Sequence, residues 1–179
     1  MPLAVRAATV DDARRIAEIH VAGWRAAYRG LMPDALLDGL SVDQKTQTWA
    51  QNIATPRSPE YRNWVACDGA EIVAMAVTGP CRDADVAPGA GELFALYADP
   101  RCWGTGAGRA LTSHVLADHA ARGVREITLW VLESNARARR FYGVAGFAAD
   151  GSAKLASFGG VSLSEVRYRS GVAVQSRPA

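Results

Sequence analysis

One stretch, residues 91–123, constrains the fold of this chain more than any other. Its apolar run at 93–98 predicts a buried strand, and the residues that follow predict a loop and then a helix because they contain Gly104, Gly106 and Gly108. The first turn of a helix has unpaired N–H groups and the positive end of the helix dipole, so such a junction binds anions. The stretch therefore predicts a phosphate-binding loop. Arg101 and Arg109 flank it, although solvated surface arginines would look the same.

Two common classes of phosphate loop do not match this stretch. A Walker A loop needs a lysine followed by Ser or Thr, and no such lysine is present. A dinucleotide-binding loop reads GxGxxG near the start of several βαβ units, whereas this one reads GTGAG and one clear βαβ unit follows it. Both classes are disfavoured.

The segment after the loop completes a strand-helix-strand unit. A helix is predicted over 106–121 and a strand over 126–132. Ser134 is the predicted N-cap of the next helix, which glycines end ahead of Phe147.

These two segments resemble motifs A and B of the GNAT superfamily of acetyl-CoA-dependent N-acetyltransferases. The motif A loop reads Gln or Arg, then xxGxG or xxGxA; the matching residues are Trp103, Gly106 and Gly108, so a tryptophan replaces the usual Gln or Arg. Motif B, NxxAxxFYxxxGF, matches Asn135, Ala138, Phe141, Tyr142, Gly146 and Phe147. The two motifs in this order and spacing are much more specific than either alone.

The rest of the chain is similar to the family in its order of elements. Strands are predicted at 3–8, 62–67, 71–78, 153–158 and 161–169, and helices at 9–30, 33–40 and 41–55. The resemblance implies an α/β (α+β) fold, in which helices flank a mixed, mostly antiparallel central sheet with two splayed parallel strands. We expect a single N-acetyltransferase domain over 1–169 and a disordered tail over 170–179.

Composition and charge name no polymeric partner. The chain has 179 residues, and its net charge of +2 with no basic run argues against nucleic acid. No signal peptide or membrane-spanning run is seen, and three cysteines without CxxC spacing favour a reducing compartment. We therefore expect a cytoplasmic protein without a membrane partner or a metal site. Family dimers are common, so a homodimer is possible.

The resemblance also implies how acetyl-CoA would bind. In the family, pantetheine lies between the splayed strands and bonds the backbone of the first, which corresponds to Leu96, Tyr97 and Ala98. The pyrophosphate would lie on the loop and the helix start, which comprise Trp103, Gly104, Thr105, Gly106, Ala107, Gly108 and Arg109. In the family an asparagine of motif B contacts the cofactor, which implies the same role for Asn135.

The implied reaction is attack by a neutral amine on the thioester, which needs a base for the amine and benefits from an acid for the sulfur. Tyr142 matches the family tyrosine that donates a proton to the leaving sulfur. The alternative is that Tyr142 is an aromatic residue of the core. Glu92 matches the glutamate that acts as the base, through a water, in histone-type members of the family. The alternative is that Glu92 is a solvated charge at the end of the strand. Some members place a glutamate on the next strand, where this chain has Trp130.

The acceptor is predicted only as the primary amine of a small molecule or peptide. Trp24 and Tyr28 lie on the first helix, in the segment that shapes the family's acceptor pocket, and suggest an acceptor with an apolar part. His20 shares their buried stripe and is interpreted as a core histidine. A catalytically silent acyl-CoA-binding module, a protein N-terminal or lysine acetyltransferase and, more distantly, a nucleotide switch are the alternatives.

Overall fold

The structure is a computed structural model that describes residues 3–172. The strands are β1 (Ala4–Ala7), β2 (Arg62–Asp68), β3 (Glu71–Pro80), β4 (Gly91–Ala98), β5 (Glu126–Leu132), β6 (Ala148–Phe158) and β7 (Val161–Gly171). The α-helices are α1 (Ala13–Tyr28), α2 (Asp34–Asp38), α3 (Val42–Ala54), α4 (Ala107–Ala121) and α5 (Ala136–Val144). The predicted order of elements is confirmed.

All seven strands form one mixed sheet, in the order β1-β2-β3-β4-β5-β7-β6. Every neighbouring pair is antiparallel except β4 and β5, which are parallel. The parallel pairing joins only Gly91–Leu93 of β4 to Ile127–Leu129 of β5. From Phe94 onward the β5 side of β4 has no strand partner among the described residues, which confirms the predicted splay.

A bulge in β4 lies where this splay begins. Val77 of β3 pairs with Ala95 and the next residue, Thr78, pairs with Leu93, so Phe94 is the extra residue. A bulge bends its strand and increases the local twist, which turns the second half of β4 away from β5. The backbone of Leu96–Ala98 therefore remains hydrogen-bonded to β3 and open on its other side.

Helices cover both faces of the sheet. On one face α4 inserts Leu111 and Val115 into a core that includes Ile127. On the other face α1 and α3 pack through Ile16 and Trp49. Within residues 3–172, no helix is long and apolar enough to cross a membrane.

A third cluster places the α1–α2 segment against the carboxyl end of β5. Its buried members are Met32, Leu37 of α2 and Leu132, the last residue of β5, and Trp24 and Tyr28 of α1 pack against this cluster. Phe158 of β6 completes the contact. The first two helices and the β6-β7 hairpin thus meet at the open end of the splay.

Two predicted boundaries are wrong in informative ways. The N-cap of α5 is Asn135 instead of Ser134, because the Asn135 Oδ1 accepts the N–H of Ala138 at 3.0 Å. The closing hairpin is also longer than predicted: β6 begins at Ala148 and contains a bulge between Ala149 and Ala153. Gly151 and Ser152 lie in this irregularity, directly before the predicted start of the strand at residue 153.

The end of β7 extends past the predicted start of the tail. Ser170 and Gly171 pair with β5, and the N–H of Val172 donates to the Arg125 carbonyl at 2.8 Å. These residues belong to the sheet because β5 offers them backbone partners. The remainder of the predicted tail, from residue 173, lies outside the described residues.

Candidate active site

The glycine-rich loop presents a row of free backbone donors at the start of α4. Gly106 is the N-cap of the helix with φ +98°, in the left-handed region that glycine adopts without strain. Within residues 3–172, no backbone carbonyl accepts the N–H groups of Gly106, Ala107, Gly108 or Arg109. Four convergent donors at the positive end of a helix dipole form an anion site, and this geometry fits a pyrophosphate.

Gly108 is required for packing as well. A Cβ at this position would lie 3.2 Å from the Phe141 ring of α5 and 3.6 Å from the Leu96 side chain of β4. The absence of a side chain therefore lets α4 approach both elements closely. As a result, the open edge of β4 leads directly to the free donors of α4.

Trp103, which replaces the family's Gln or Arg, takes part in this site in another way. Its indole Nε1 donates to the Ala98 carbonyl at 3.0 Å, which attaches the loop to the end of β4. The guanidinium of Arg137, at the start of α5, lies 3.2 Å from the centroid of the Trp103 ring. This cation–π contact brings a positive charge to the loop from motif B, where the sequence analysis had not assigned one.

Tyr142 lies on α5 and is half-buried between Phe141 and Phe147, with ring centroids 5.2 and 5.9 Å away. Burial, and next the neighbouring Tyr97, raise the pKa of its phenol above the ordinary value. No hydrogen-bond partner for its hydroxyl is found among the described residues. The phenol therefore keeps its proton at neutral pH and has that proton free to donate, even though the ring also packs against the core.

Asn135 is buried, with 8% of its surface exposed. Its Oδ1 already accepts one hydrogen bond as the cap of α5, whereas its amide nitrogen has no hydrogen-bond acceptor among the described residues. We therefore expect the predicted contact between Asn135 and the cofactor to involve the amide nitrogen.

Glu92 lies at the start of β4 and is only 2% exposed, so the alternative of a solvated strand-end charge is wrong. Its carboxylate accepts the Arg82 guanidinium at 2.6 and 3.1 Å and the Arg82 backbone N–H at 3.1 Å. The Arg82 guanidinium also lies over the Phe94 ring, 4.4 Å from its centroid. The structure thus places the predicted base in an ion pair that the sequence analysis missed.

The predicted acceptor residues belong to an aromatic cluster. Trp24 contacts Tyr28 edge to face, with centroids 5.1 Å apart, and His20 stacks on Tyr97 at 4.9 Å. Burial lowers the pKa of His20 to about 4, and neither ring nitrogen has a partner among the described residues. His20 is therefore a neutral core residue, and the cluster joins α1 to the open part of β4.

A groove of about 230 Å³ opens beside the β4 bulge. Its lining includes Trp49 of α3, Tyr61 and Asn63 near β2, and the pair formed by Arg82 and Phe94. The Nε1 of Trp49 and the Oδ1 of Asn63 are buried without partners in the described structure. Trp49 and Asn63 thus each bring a buried polar atom close to the groove, which borders Arg82, the cation of the Glu92 ion pair.

A second charged group lies on β7. Arg167 is 2% exposed and pairs with Asp83, Asp85 and Asp150. The sequence analysis did not identify the charged residues that form ion pairs in this region, which are Arg82 of the β3-β4 loop, Lys154 of β6, and Glu165 and Arg167 of β7. The alternation of charged residues at 165, 167 and 169 is a signal for one polar strand face, but it does not say what that face contacts.

Comparison with known proteins decides the family. The model of the acetyltransferase (GNAT) family matches residues 24–147, which is more than half of the chain. This protein belongs to the GNAT acetyltransferase family. It is therefore an acyltransferase, and the resemblance seen in motifs A and B is confirmed.

Two relatives of this GNAT acetyltransferase are also named as acetyltransferases. A "probable N-acetyltransferase" of Mycobacterium tuberculosis is 28% identical over 170 residues, covering 92% of this chain and 91% of the relative. The mycothiol acetyltransferase of Beutenbergia cavernae is 42% identical over 80 residues, which span 45% of this chain and 25% of that protein. The second match is local, so it bears on one segment only.

Solved structures share the fold of this GNAT acetyltransferase. The PaiA N-acetyltransferase of Thermoplasma acidophilum, in complex with coenzyme A, superposes with a TM-score of 0.74 at 14% identity, covering 96% of this chain and 99% of the other. The yncA protein of Salmonella typhimurium, solved with its cofactor acetyl-CoA, gives a TM-score of 0.70 at 18% identity, covering 100% and 99%.

Proposed function

We propose that this protein is an N-acetyltransferase that moves an acetyl group from acetyl-CoA to a primary amine of a small molecule or peptide, by direct attack in a ternary complex. The observation that carries the proposal is the continuity of the open β4 edge at Leu96–Ala98 with the free donors of α4. Along one surface, free backbone groups of a strand are thus followed by a phosphate site. An arm that contains amides and ends in a pyrophosphate could bind to both.

This geometry supports the residues that the sequence predicts to hold acetyl-CoA. Leu96 and Tyr97 present backbone groups to the pantetheine arm, while the Ala98 carbonyl already accepts the Trp103 indole. The free N–H groups at the start of α4 would hold the pyrophosphate, and Gly104 and Thr105 form the loop before them. Arg109 and Arg137 add positive charge on either side.

The chain's own residues would manage the protons of the reaction. Acetyl-CoA supplies the thioester carbonyl that the amine attacks and the sulfur that leaves. Tyr142 keeps a proton on its phenolic oxygen at neutral pH and would deliver it to that sulfur. Glu92 is the base that the resemblance predicts, but Arg82 engages both of its carboxylate oxygens and leaves few lone pairs for the amine proton.

The acceptor would lie on the side of the splay opposite the phosphate site. Trp24 and Tyr28 form its apolar wall, and the groove beside the bulge gives it a way in past Arg82. This arrangement favours an amine with an aromatic or aliphatic part over a bare polycation. A protein N-terminus or lysine is the second candidate acceptor, and a homodimer stays a prediction.

The test is release of CoA thiol with a panel of primary amines (phenethylamine, tryptamine, a dipeptide and spermidine), with a correction for the three free cysteines of the protein. Tyr142→Phe should lower kcat by about 100-fold, the range of general acid catalysis, with little change in acetyl-CoA affinity. Tyr168→Phe is the matched control because that hydroxyl accepts Arg139 at 3.2 Å, within the core. Equal turnover by wild type and Tyr142→Phe would refute the acid role.

A further inference from the structure

We propose that Glu165, on β7, is the carboxylate that takes the proton from the acceptor ammonium. The inference rests on the proposed function and assigns a catalytic group that neither motif A nor motif B contains. In the step itself, R–NH₃⁺ and the Glu165 carboxylate become R–NH₂ and a carboxylic acid. One N–H bond breaks, one O–H bond forms, and the lone pair that remains on nitrogen becomes the nucleophile.

The sheet register places Glu165 at the open end of the splay. Glu165 pairs with Leu132, which lies three residues beyond Leu129, the last residue of β5 that pairs with β4. Side chains of directly paired residues emerge on the same face of a sheet. Leu132 belongs to the cluster against which Trp24 and Tyr28 pack, so Glu165 emerges on the face where the acceptor wall lies.

The Glu165 carboxylate lacks the partners that a buried carboxylate needs. Its side chain is only 15% exposed, and its one ion pair within residues 3–172 is a contact of 3.8 Å with Lys154 Nζ. That ammonium lies 3.9 Å from the centroid of the Trp130 ring, so Lys154 is shared between two contacts. Among the described residues, no group donates a hydrogen bond to Glu165, in contrast to the three bonds from Arg82 to Glu92.

Electrostatic coupling connects Glu165 to the phenols of the site. Its charge contributes to the raised pKa values of Tyr28 and Tyr97, and Tyr97 in turn contributes to that of Tyr142. Burial raises the pKa of Glu165 itself above the ordinary value. A carboxylate with a raised pKa is a stronger base toward an ammonium than a solvated one.

Groups from every neighbouring element act on this carboxylate. Lys154 of β6 and Arg82 of the β3-β4 loop favour its charged form, and Glu92 of β4 opposes it. The charge of Glu165 in turn affects two phenols, Tyr97 of β4 and Tyr28 of α1. Both positive charges are partly exposed, and burial affects the pKa of Glu165 more than they do. The carboxylate therefore retains the proton affinity that the step requires.

The experiment is the pH profile of kcat/KM with the best amine of the panel for wild type, Glu165→Gln, Glu92→Gln and Glu133→Gln. Glu133 is an exposed carboxylate at the neighbouring strand end and serves as the matched control. We expect Glu165→Gln to lose about 100-fold in kcat at neutral pH together with the acidic limb of the profile. Glu133→Gln should keep the wild-type profile.

A readout that needs no turnover accompanies the kinetics. Because burial raises the pKa of Glu165, its charged form costs stability above that pKa, so Glu165→Gln should be at least as stable as wild type at pH 8. A fall in Tm of more than about 4 °C would instead indicate a structural ion pair with Lys154 and would overturn the assignment.

The kinetic outcomes separate the two proposals. Wild-type turnover with an unchanged acidic limb in Glu165→Gln would overturn the role of Glu165 alone, as would a variant that raises KM without lowering kcat. Loss of the acidic limb in Glu92→Gln but not in Glu165→Gln would assign the base to Glu92. No wild-type turnover with any amine, despite acetyl-CoA binding, would overturn the proposed function and the role of Glu165 with it.

Discussion

Arg82 holds the Glu92 carboxylate with three hydrogen bonds, two from its guanidinium and one from its backbone N–H. The pair joins the β3-β4 loop to the start of β4, one strand residue before Leu93 and two before the bulge at Phe94. The ion pair therefore attaches the β3-β4 loop to β4 directly before the point where the splay begins.

Arg82→Ala should destabilise the protein by about 2 kcal/mol, because it leaves a carboxylate that is 2% exposed without its cation. Urea unfolding at pH 7 measures the change. Arg140→Ala, an exposed position on α5 with the same loss of charge, should be close to neutral. Adding Glu92→Gln to Arg82→Ala should recover part of the loss, and equal stability of the two arginine variants would contradict the account.

Gly91→Ala should be strongly destabilising, by about 2 to 3 kcal/mol, the range for overpacked cores. A Cβ at residue 91 would overlap the ring of His119, which is 1% exposed and is held by a contact of 2.8 Å between its Nδ1 and the Val115 carbonyl. Thermal unfolding measures the effect.

The control for Gly91→Ala is Gly143→Ala in α5. An added Cβ at residue 143 meets nothing within 4 Å, so alanine should stabilise the helix by about 0.5 to 1 kcal/mol. A Gly91→Ala variant as stable as Gly143→Ala would show that the contact between β4 and α4 is looser than the structure indicates.

Stability should fall as the pH is lowered from about 6.5 to about 4, and His20 should cause a large part of that fall. Burial lowers its pKa from 6.5 to about 4. In this window the unfolded chain binds a proton at residue 20 and the folded chain does not, so the folded state loses about 2 kcal/mol at pH 5 relative to pH 7.

Comparing wild type with His20→Phe by urea unfolding at pH 7 and pH 5 tests this prediction. Phenylalanine keeps an aromatic ring against Tyr97 and cannot bind a proton. The variant should lose less stability on acidification than wild type, with a remainder from His119, whose pKa burial also lowers. Identical losses in both proteins would exclude the assignment to His20.

Local patterns predicted much of this structure. The strand, glycine loop and helix at 91–123 follow from signals within a few residues, since glycine positions and apolar runs act through local backbone preferences. The Asn135 cap was missed because serine and asparagine are both good N-caps, and only the observed bond to Ala138 distinguishes them.

The charged part of the site could not be predicted in the same way. Arg82 and Glu92 are ten residues apart, on either side of a loop. The path of that loop depends on tertiary packing, so the sequence does not show that the loop brings the two side chains together. Glu165 lies in a strand with clear alternation, but its neighbour across the sheet is Leu132 because β7 inserts between β5 and β6. Pairings of this kind depend on the topology of the whole sheet, so the sequence alone left the base open.

The most direct test of the central claim is calorimetric titration of acetyl-CoA into wild type, Arg109→Glu and Arg125→Glu. Both arginines are exposed, and only Arg109 lies in the first turn of α4 beside the free donors. We predict that wild type and Arg125→Glu bind alike and that Arg109→Glu binds at least about tenfold more weakly, because its carboxylate opposes the pyrophosphate. No binding to wild type, or equal binding to all three proteins, would contradict the account.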